Sequence, residues 1–198
     1  MTKKYSPLKS GFFFQLDICN LMEKPKGYTK LKQWEKQEAA FWHRLGYSDP
    51  GMVPARAGLI NLRCSDITDT DLHFLLNRII HIDELDLKEA LISNEGIKQL
   101  TALKQIGILY LKDCPNIDND CAPYLNKLTT LKKLSVASTE VDYEGVAQLD
   151  ELNQLESLSF STTEANHLDE QMQVLRRQHP GCVFFVNGKR YMVAGMAS

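Results

Sequence analysis

The sequence lacks the cysteine and histidine spacings that mark disulfide frameworks and metal sites. Its five cysteines form no C-x-x-C pair, and its five histidines add no ligand spacing that would complete a zinc site. We therefore expect reduced thiols in a reducing compartment, and neither a metal nor another cofactor. The residues concerned are Cys19, Cys64, Cys114, Cys121, Cys182, His43, His73, His81, His167 and His179.

Long apolar runs are also missing. No stretch reaches the ~18 apolar residues that a membrane-spanning helix requires. The apolar segment GFFFQLDICNLM, residues 11–22, is interrupted by Gln15, Asp17 and Asn20, and no small-residue cleavage site follows it. The sequence therefore predicts a cytoplasmic protein with neither an export signal nor a membrane span.

There is no excess of positive charge. Lysine and arginine together number 23 against 25 aspartate and glutamate residues, which gives a formal net charge of -2. Without surplus cations there is little counterion release to drive binding to DNA or RNA, so we expect no nucleic-acid partner. The hydrophobic fraction of 43% nevertheless suffices for a folded core, which argues against a disordered chain.

What the sequence does contain is a repeated pattern of leucines. Five segments align with one another, and their starts are 24 or 25 residues apart. Each opens apolar-x-x-apolar-x-apolar, as in Ile82-x-x-Leu85-x-Leu87, and the last two positions have the two-residue period of a short strand. The segments begin at Ala57, Ile82, Ile106, Leu131 and Leu155.

The second half of each unit has the pattern of a helix. A residue able to cap a helix N-terminus comes first, and its side-chain oxygen can accept a bond from a free backbone N–H. Acidic side chains follow in the first turn, where the helix dipole favours them, and apolar residues then recur at helical spacing. The predicted caps are Thr68, Ser93, Asp118 and Asp142.

Each unit carries a small residue between its strand and its helix. We expect these residues to form a ladder inside the turns, where Cys and Thr can meet backbone groups without filling the volume of a leucine. In that position Cys114 is a structural rather than a reactive thiol. The ladder comprises Ser65, Ala90, Cys114, Thr139 and Thr163.

This alternation of short strands and helices predicts an α/β fold. A single unit cannot bury its leucines, whereas stacked neighbours bury them from both sides. The sequence therefore predicts a right-handed solenoid with parallel strands on its concave face and helices on its convex face. We expect a helical N-terminal cap over residues 1–56, about five repeats over 57–181, and a C-terminal hairpin cap and tail over 182–198.

The repeats resemble the leucine-rich repeat family. The stretches LRCSDITDTDLHFL and LKDCPNIDNDCAPYL resemble its cysteine-containing subclass, although the other units place Ser, Ala or Thr at the cysteine position. The resemblance implies a leucine-rich-repeat solenoid whose concave face binds a protein. In size, helical N-terminal region and repeat number, and in IDNDCAPYL, the chain is also similar to the small mitochondrial ATP synthase factor B, or subunit s-like, repeat proteins, relatives of which assist assembly of respiratory complexes.

Both ends of such a stack need elements that cover its open hydrophobic faces. At the front, the spacing of apolar residues over 29–47 predicts an amphipathic helix, and we expect its Trp34 and Trp42 to cover the first repeat. At the back, Asn187-Gly188 between two β-rich runs predicts a hairpin. Its first strand, residues 183–186, should extend the parallel sheet.

Side chains between the inward leucines should point out of the concave face. Reading across the units places Tyr110 beside a row of basic residues, a composition typical of interface hot spots and suited to an acidic segment. The alternative is that these are solvated side chains balanced by neighbouring acids. The candidate partner-binding residues are Arg63, Asp86, Lys88, Tyr110 and Lys112.

The function predicted from these features is a non-catalytic protein-interaction scaffold, acting as a monomer on a protein partner. No P-loop, GxSxG or HExxH motif occurs, so we expect no enzyme activity. One alternative is an assembly or structural factor that acts through the aromatic N-terminal helix. A second is a thiol-dependent hydrolase using Cys64, which has no histidine in its own or a neighbouring row.

Overall fold

The computed structural model describes residues 33–63, 66–163 and 167–192, together with the backbone of residues 15–17. These residues form a mixed α/β structure around one open sheet. Seven strands pair in parallel in the order of the chain, and an eighth pairs antiparallel at the end. The strands are β1 Gln15–Asp17, β2 Arg56–Asn61, β3 His81–Asp86, β4 Gln105–Tyr110, β5 Lys133–Ser135, β6 Ser157–Phe160, β7 Val183–Val186 and β8 Lys189–Arg190.

The pairing of the strands confirms the alignment of the five sequence segments. Ala57 is paired with Ile82, and Ile82 with Ile106, so the first residues of three segments lie side by side. Farther along, Leu109 is paired with Leu134, and Leu134 with Leu158. Equivalent leucines therefore stack on one another across the sheet, and they are buried.

Helices connect the parallel strands. They are α1 Gln33–Arg44, α2 Asp69–Leu76, α3 Asn94–Leu100, α4 Ala122–Leu125, α5 Tyr143–Ala147 and α6 Leu168–Gln178, with short 3-10 turns at Pro50–Met52 and Asn119–Cys121. Pro123 stands at the start of α4, where its missing N–H costs nothing.

All four predicted caps precede a helical segment, and three of them act as expected. The side chains of Ser93, Asp118 and Asp142 each accept a backbone N–H two residues on, at 3.2, 3.0 and 2.8 Å. Thr68 works in the opposite sense. Its hydroxyl and its backbone N–H both donate to the carboxylate of Asp71, at 2.9 and 3.0 Å, so the acid of the first turn serves as the acceptor.

A second set of hydrogen bonds joins the starts of successive helical segments from α2 to α5. Asp69 accepts the backbone N–H of Ser93 at 2.9 Å and its hydroxyl at 2.6 Å. Asn94 likewise accepts the N–H of Asp118, and Asn119 accepts that of Asp142. This cap ladder satisfies backbone donors that would otherwise lack partners at the helix ends.

The predicted small-residue ladder is present in part. Ala90 and Cys114 are buried, and the Cys114 thiol lies 3.1 Å from the carbonyl oxygen of Leu87. The Thr139 hydroxyl donates to the carbonyl of Val136 at 2.7 Å. At Thr163 the prediction is wrong, because that residue is exposed. Ser65 lies outside the described residues.

Aromatic packing holds helix α1 against α2. Phe41 and Trp42 are buried, and the rings of Trp34 and Phe74 lie 4.8 Å apart. At the end of the helix the guanidinium of Arg44 forms ion pairs with Asp66 at 3.2 Å and Asp71 at 2.8 Å. Trp34 therefore packs on α2, the helix of the first unit, as predicted, although it stays 47% exposed. Trp42 is buried in the core that α1 shares with the first unit.

Strand β1 was not predicted, since only helix was expected over residues 1–56. It pairs in parallel with β2, with Leu16 opposite Ile60, and so extends the sheet at an edge that would otherwise offer unpaired backbone groups. The sequence does hold a signal for it. Apolar residues at positions 13, 16 and 18 repeat the apolar-x-x-apolar-x-apolar spacing of the other strands.

The C-terminal hairpin has the predicted form. Strand β7 pairs in parallel with β6, and β8 returns antiparallel beside β7. The turn residues Asn187 and Gly188 both have positive φ, 50° and 75°, as a tight hairpin turn of this kind requires. Tyr191, just after β8, donates its hydroxyl to Asp169 on α6 and so fastens the hairpin to the last helix.

His179, at the C-terminal end of α6, is 4% exposed. Burial lowers the pKa of its imidazole below the ordinary value of 6.5, because the charged form loses its hydration. The carbonyls of Leu149 and Leu152, and then Asp150, oppose this shift without cancelling it. The folded protein therefore binds a proton at His179 less readily than the unfolded chain does.

We expect acid to destabilise the fold through this histidine. Because the pKa is lower in the folded state, the stability contributed by neutral His179 is complete above about pH 6.5 and is lost as the pH falls below it. Urea unfolding of the native chain and of His179→Gln, at about pH 7.5 and about pH 5.5, measures the difference. A loss of stability that is as large in the glutamine variant would contradict this assignment.

Candidate functional site

The five candidate residues predicted from the sequence meet on the sheet face turned away from the buried leucines. The guanidinium of Arg63 lies 3.0 Å from the carboxylate of Asp86, and the ammonium of Lys88 lies 3.4 Å from the same carboxylate. That ammonium also lies 4.3 Å from the centre of the Tyr110 ring. Lys112 lies two residues after Tyr110, beyond the end of β4, so four of the five residues form one connected cluster with Lys112 beside it.

Asp86 is more buried than a partner-contacting residue would be. It is only 6% exposed, because Arg63 and Lys88 lie over it. Its other carboxylate oxygen accepts the backbone N–H of Lys88 at 3.1 Å. Asp86 therefore positions the two cations and the backbone beside them, a role that the prediction of an outward-pointing acid missed.

Tyr110 keeps its proton at neutral pH. Burial raises the pKa of its phenol above 10.0, and the carboxylates of Glu84 and Asp86 raise it further. The hydroxyl is thus a neutral donor and acceptor, and the ring face is occupied by Lys88. An ammonium over an aromatic face is attracted to it by about 0.5–1 kcal/mol at an exposed site.

Lys112 stands beside a bend in the backbone that recurs from unit to unit. Asp113 has φ of 60°, and the equivalent residues Glu89 and Ser138 have 63° and 56°. The Lys112 ammonium lies 3.4 Å from the Asp113 carboxylate. This conformation turns the chain from the strand toward the helix in the same way in these three units.

A single row of paired residues crosses the outward face from β4 to β7. Tyr110 is paired with Ser135, Ser135 with Ser159, and Ser159 with Phe185. Two aromatic side chains therefore stand at the ends of the row with two serines between them. With strands about 4.8 Å apart, three spacings place the backbones of Tyr110 and Phe185 roughly 14 Å apart.

These residues border a groove of about 630 Å³, which we call the trench. Ser135 and Ser159 form its floor, because their small side chains leave space that Tyr110 and Phe185 bound on either side. The neighbouring row adds Lys133, Ser157 and Val183 to the lining, and Lys88, Lys112 and Glu156 complete its polar part. The trench thus combines an apolar wall on β7 with a mainly basic wall, which is formed by Lys88 just beyond β3, Lys112 just beyond β4 and Lys133 at the start of β5.

Sequence reasoning missed Val183 and Phe185 as site residues. It placed residues 183–186 in the last strand of the sheet but did not continue the outward rows into that strand. The signal was available, since the alternation within residues 183–186 puts Val183 and Phe185 on one face and Phe184 and Val186 on the other. The structure agrees, with Phe184 and Val186 buried and Phe185 partly exposed.

The described cysteines have the properties of structural thiols. Burial raises the pKa of Cys114 to about 11 and those of Cys121 and Cys182 to about 12. Since the thiolate is the nucleophile, these three groups are poorly nucleophilic at neutral pH. Cys64, the residue on which a thiol-dependent hydrolase would depend, lies outside the described residues.

Across residues 33–63, 66–163 and 167–192, no group of three or more His, Cys, Asp or Glu side chains is arranged to hold a metal ion. None of the described helices has both the length and the apolar character needed to cross a bilayer. No protein-family model matches the sequence and no curated protein matches it, so the trench itself carries the functional inference.

Proposed function

We propose that this chain is a protein-interaction module of the leucine-rich-repeat type, and that a segment of a protein partner binds in the trench. The proposal includes a right-handed solenoid with the strands on its concave face, no catalytic activity, and action as a monomer. The observation that carries it is the row from Tyr110 to Phe185, in which two aromatic side chains enclose a floor of serines.

Strand order and unit length support the solenoid. Each parallel strand lies beside the next one in the chain, and the repeating units are joined by helices of similar position. One continuous hydrophobic core runs from α1 to β7. Stacked repeats that share a core in this way leave their strand face free for binding.

The chemistry of the trench supports protein binding. Tyrosine and arginine dominate binding energy at protein interfaces, and a partly enclosed aromatic side chain gives a partner a large area to cover. The serine hydroxyls on the floor can donate to, and accept from, a partner backbone.

The alternative function is assembly through the aromatic N-terminal helix. In the described part of that helix, one aromatic side chain is exposed and could contact a partner. Phe41 and Trp42 are buried, whereas Trp34 is 47% exposed and packs on α2. A binding anchor formed by two tryptophans is therefore reduced to Trp34. Trp34→Ser becomes the variant that tests this alternative.

A comparison of tagged variants by quantitative affinity purification tests the proposed function. We expect Tyr110→Ala with Phe185→Ser to lose a partner that the native chain recovers, because the substitutions remove both ends of the trench. The recovered partner is then purified, and its dissociation constant for each variant is measured by calorimetry. The trench variant should bind at least about tenfold more weakly, as expected for loss of central aromatic contacts.

Tyr124→Ala is the matched control, since Tyr124 also carries a lysine near its ring, Lys127, at 5.8 Å, but lies on α4. This control variant should retain the partner. If the trench variant retains every partner while its circular dichroism spectrum stays native, the proposed function is wrong. Loss of the partner with Trp34→Ser alone would instead favour the helix-mediated alternative.

A further inference from the structure

The charged side chains of the trench are unevenly distributed. Three lysines line it, Lys88, Lys112 and Lys133, against one acid, Glu156. Glu156 has a cation of its own, since its carboxylate lies 3.6 Å from the ammonium of Lys132. Two of the lysines are paired with acids that do not line the trench, Lys88 with Asp86 and Lys112 with Asp113, each at 3.4 Å. Among the side chains that do line the trench, cations outnumber acids, although the whole chain has a net charge of -2.

One of the three lysines, Lys88, is held in place before any ligand arrives. The buried carboxylate of Asp86 faces both Arg63 and Lys88, and Lys88 is fixed between that carboxylate and the ring of Tyr110. A side chain whose position is already fixed loses less entropy on binding.

The opposite wall is apolar. Val183 and Phe185 point outward from β7, and each is partly exposed. Between this wall and Tyr110 the serine floor leaves room for an apolar side chain of a ligand. Leu59 and Ile108 are also partly exposed on the outward face, but neither lines the trench.

From these contacts we infer that the trench binds an acidic segment of its partner, in which Asp or Glu residues flank one large apolar side chain. The apolar side chain packs between Tyr110 and Phe185, and the carboxylates contact Lys88, Lys112 and Lys133. This inference rests on the proposed function and adds the chemistry of the partner to it. Carboxylates near partly exposed lysines make the binding dependent on salt concentration.

Selection from a displayed library of random dodecapeptides tests this inference without a known partner. The folded, full-length chain is the bait, and the Tyr110→Ala, Phe185→Ser variant is used for counter-selection. We expect the retained peptides to contain Asp and Glu well in excess of Lys and Arg, around a Phe, Trp or Leu. Synthetic peptides with the selected sequences are then titrated by fluorescence anisotropy.

Charge reversal at the basic wall gives the second measurement. Lys112→Glu with Lys133→Glu should weaken binding of the selected peptides by about tenfold or more, and high salt should weaken binding to the native chain. Lys127→Glu is the matched control, because Lys127 lies outside the trench, and it should bind the peptides as the native chain does.

The possible failures are distinguishable. Retained peptides without an acidic excess, or peptides unaffected by charge reversal, overturn the acidic-partner inference but leave trench binding intact. A selection that yields no peptide held better by the native chain than by the trench variant also overturns it. Only retention of the natural partner by the trench variant refutes the proposed function itself.

Discussion

Replacing Trp42 with alanine should lower the free energy of unfolding by about 3–5 kcal/mol, the range measured when large buried aromatic side chains are truncated. Trp42 is 0% exposed, and its indole ring contacts Phe41 and Tyr47 at centroid distances of 5.0 and 6.0 Å. Truncation leaves a cavity between α1 and the first parallel unit. Urea unfolding followed by far-ultraviolet circular dichroism measures the change.

Two comparison variants sharpen this experiment. Trp42→Phe keeps most of the apolar volume and should cost clearly less than the alanine variant. Trp34→Ala should cost less again, because that side chain is 47% exposed. If Trp42→Ala and Trp34→Ala destabilise the fold equally, Trp42 is not the residue that holds α1 against the core.

Replacing Gly96 with alanine should destabilise the native chain by about 1–3 kcal/mol, although alanine favours helix by up to about 1 kcal/mol over glycine. A Cβ at position 96 would lie 2.3 Å from a carboxylate oxygen of Asp69, which is the oxygen that accepts the N–H of Ser93. The new methyl group therefore pushes the Asp69 carboxylate aside and breaks its hydrogen bond with the Ser93 N–H, one of the bonds of the cap ladder.

Removing the obstructing carboxylate should reduce the effect. In an Asp69→Ala background the added methyl group still lies 3.2 Å from Cδ1 of Leu72, so Gly96→Ala should cost clearly less than it does in the native chain. The two single variants and the double variant form a cycle whose coupling energy is read from urea unfolding. Gly145→Ala with Asn119→Ala repeats the test two units further along the chain, since a Cβ at position 145 would lie 2.1 Å from the Asn119 amide oxygen. Additive effects in both cycles would contradict the collision.

The sequence predicts strands β2 to β8, the positions of the caps and the stacking order, because these follow from side chains read one unit at a time. Apolar spacing locates the strands, and the residues at the caps identify the helix starts. The cap ladder could not be predicted in this way. Asp69 acts on Ser93 in the next unit, a contact that depends on how closely the helices stack, and no local pattern encodes that distance.

The candidate site, likewise, could be predicted where it depends on a local pattern and not where it depends on contacts between units. Alternation along a strand predicts that Arg63, Lys88, Tyr110 and Lys112 share a face, and the contacts among the first three confirm their proximity. The burial of Asp86 could not be predicted, because it depends on where the long side chains of Arg63 and Lys88 lie. The trench could not be predicted either. It exists because serines on β5 and β6 are flanked by aromatic residues on β4 and β7, and this contrast is visible only when the register of the strands is known.

The order of the strands has a consequence for how the chain folds. From β2 to β7 each strand pairs with a partner about 25 residues away, and β8 pairs at once with β7, so only the pairing of β1 with β2 closes a longer loop. Parallel sheets usually form slowly because their partners are remote in sequence. In this chain the segment between pairing strands is short at nearly every step, so folding can proceed outward from a central unit. The early units can also form on the ribosome while later ones are still being synthesised.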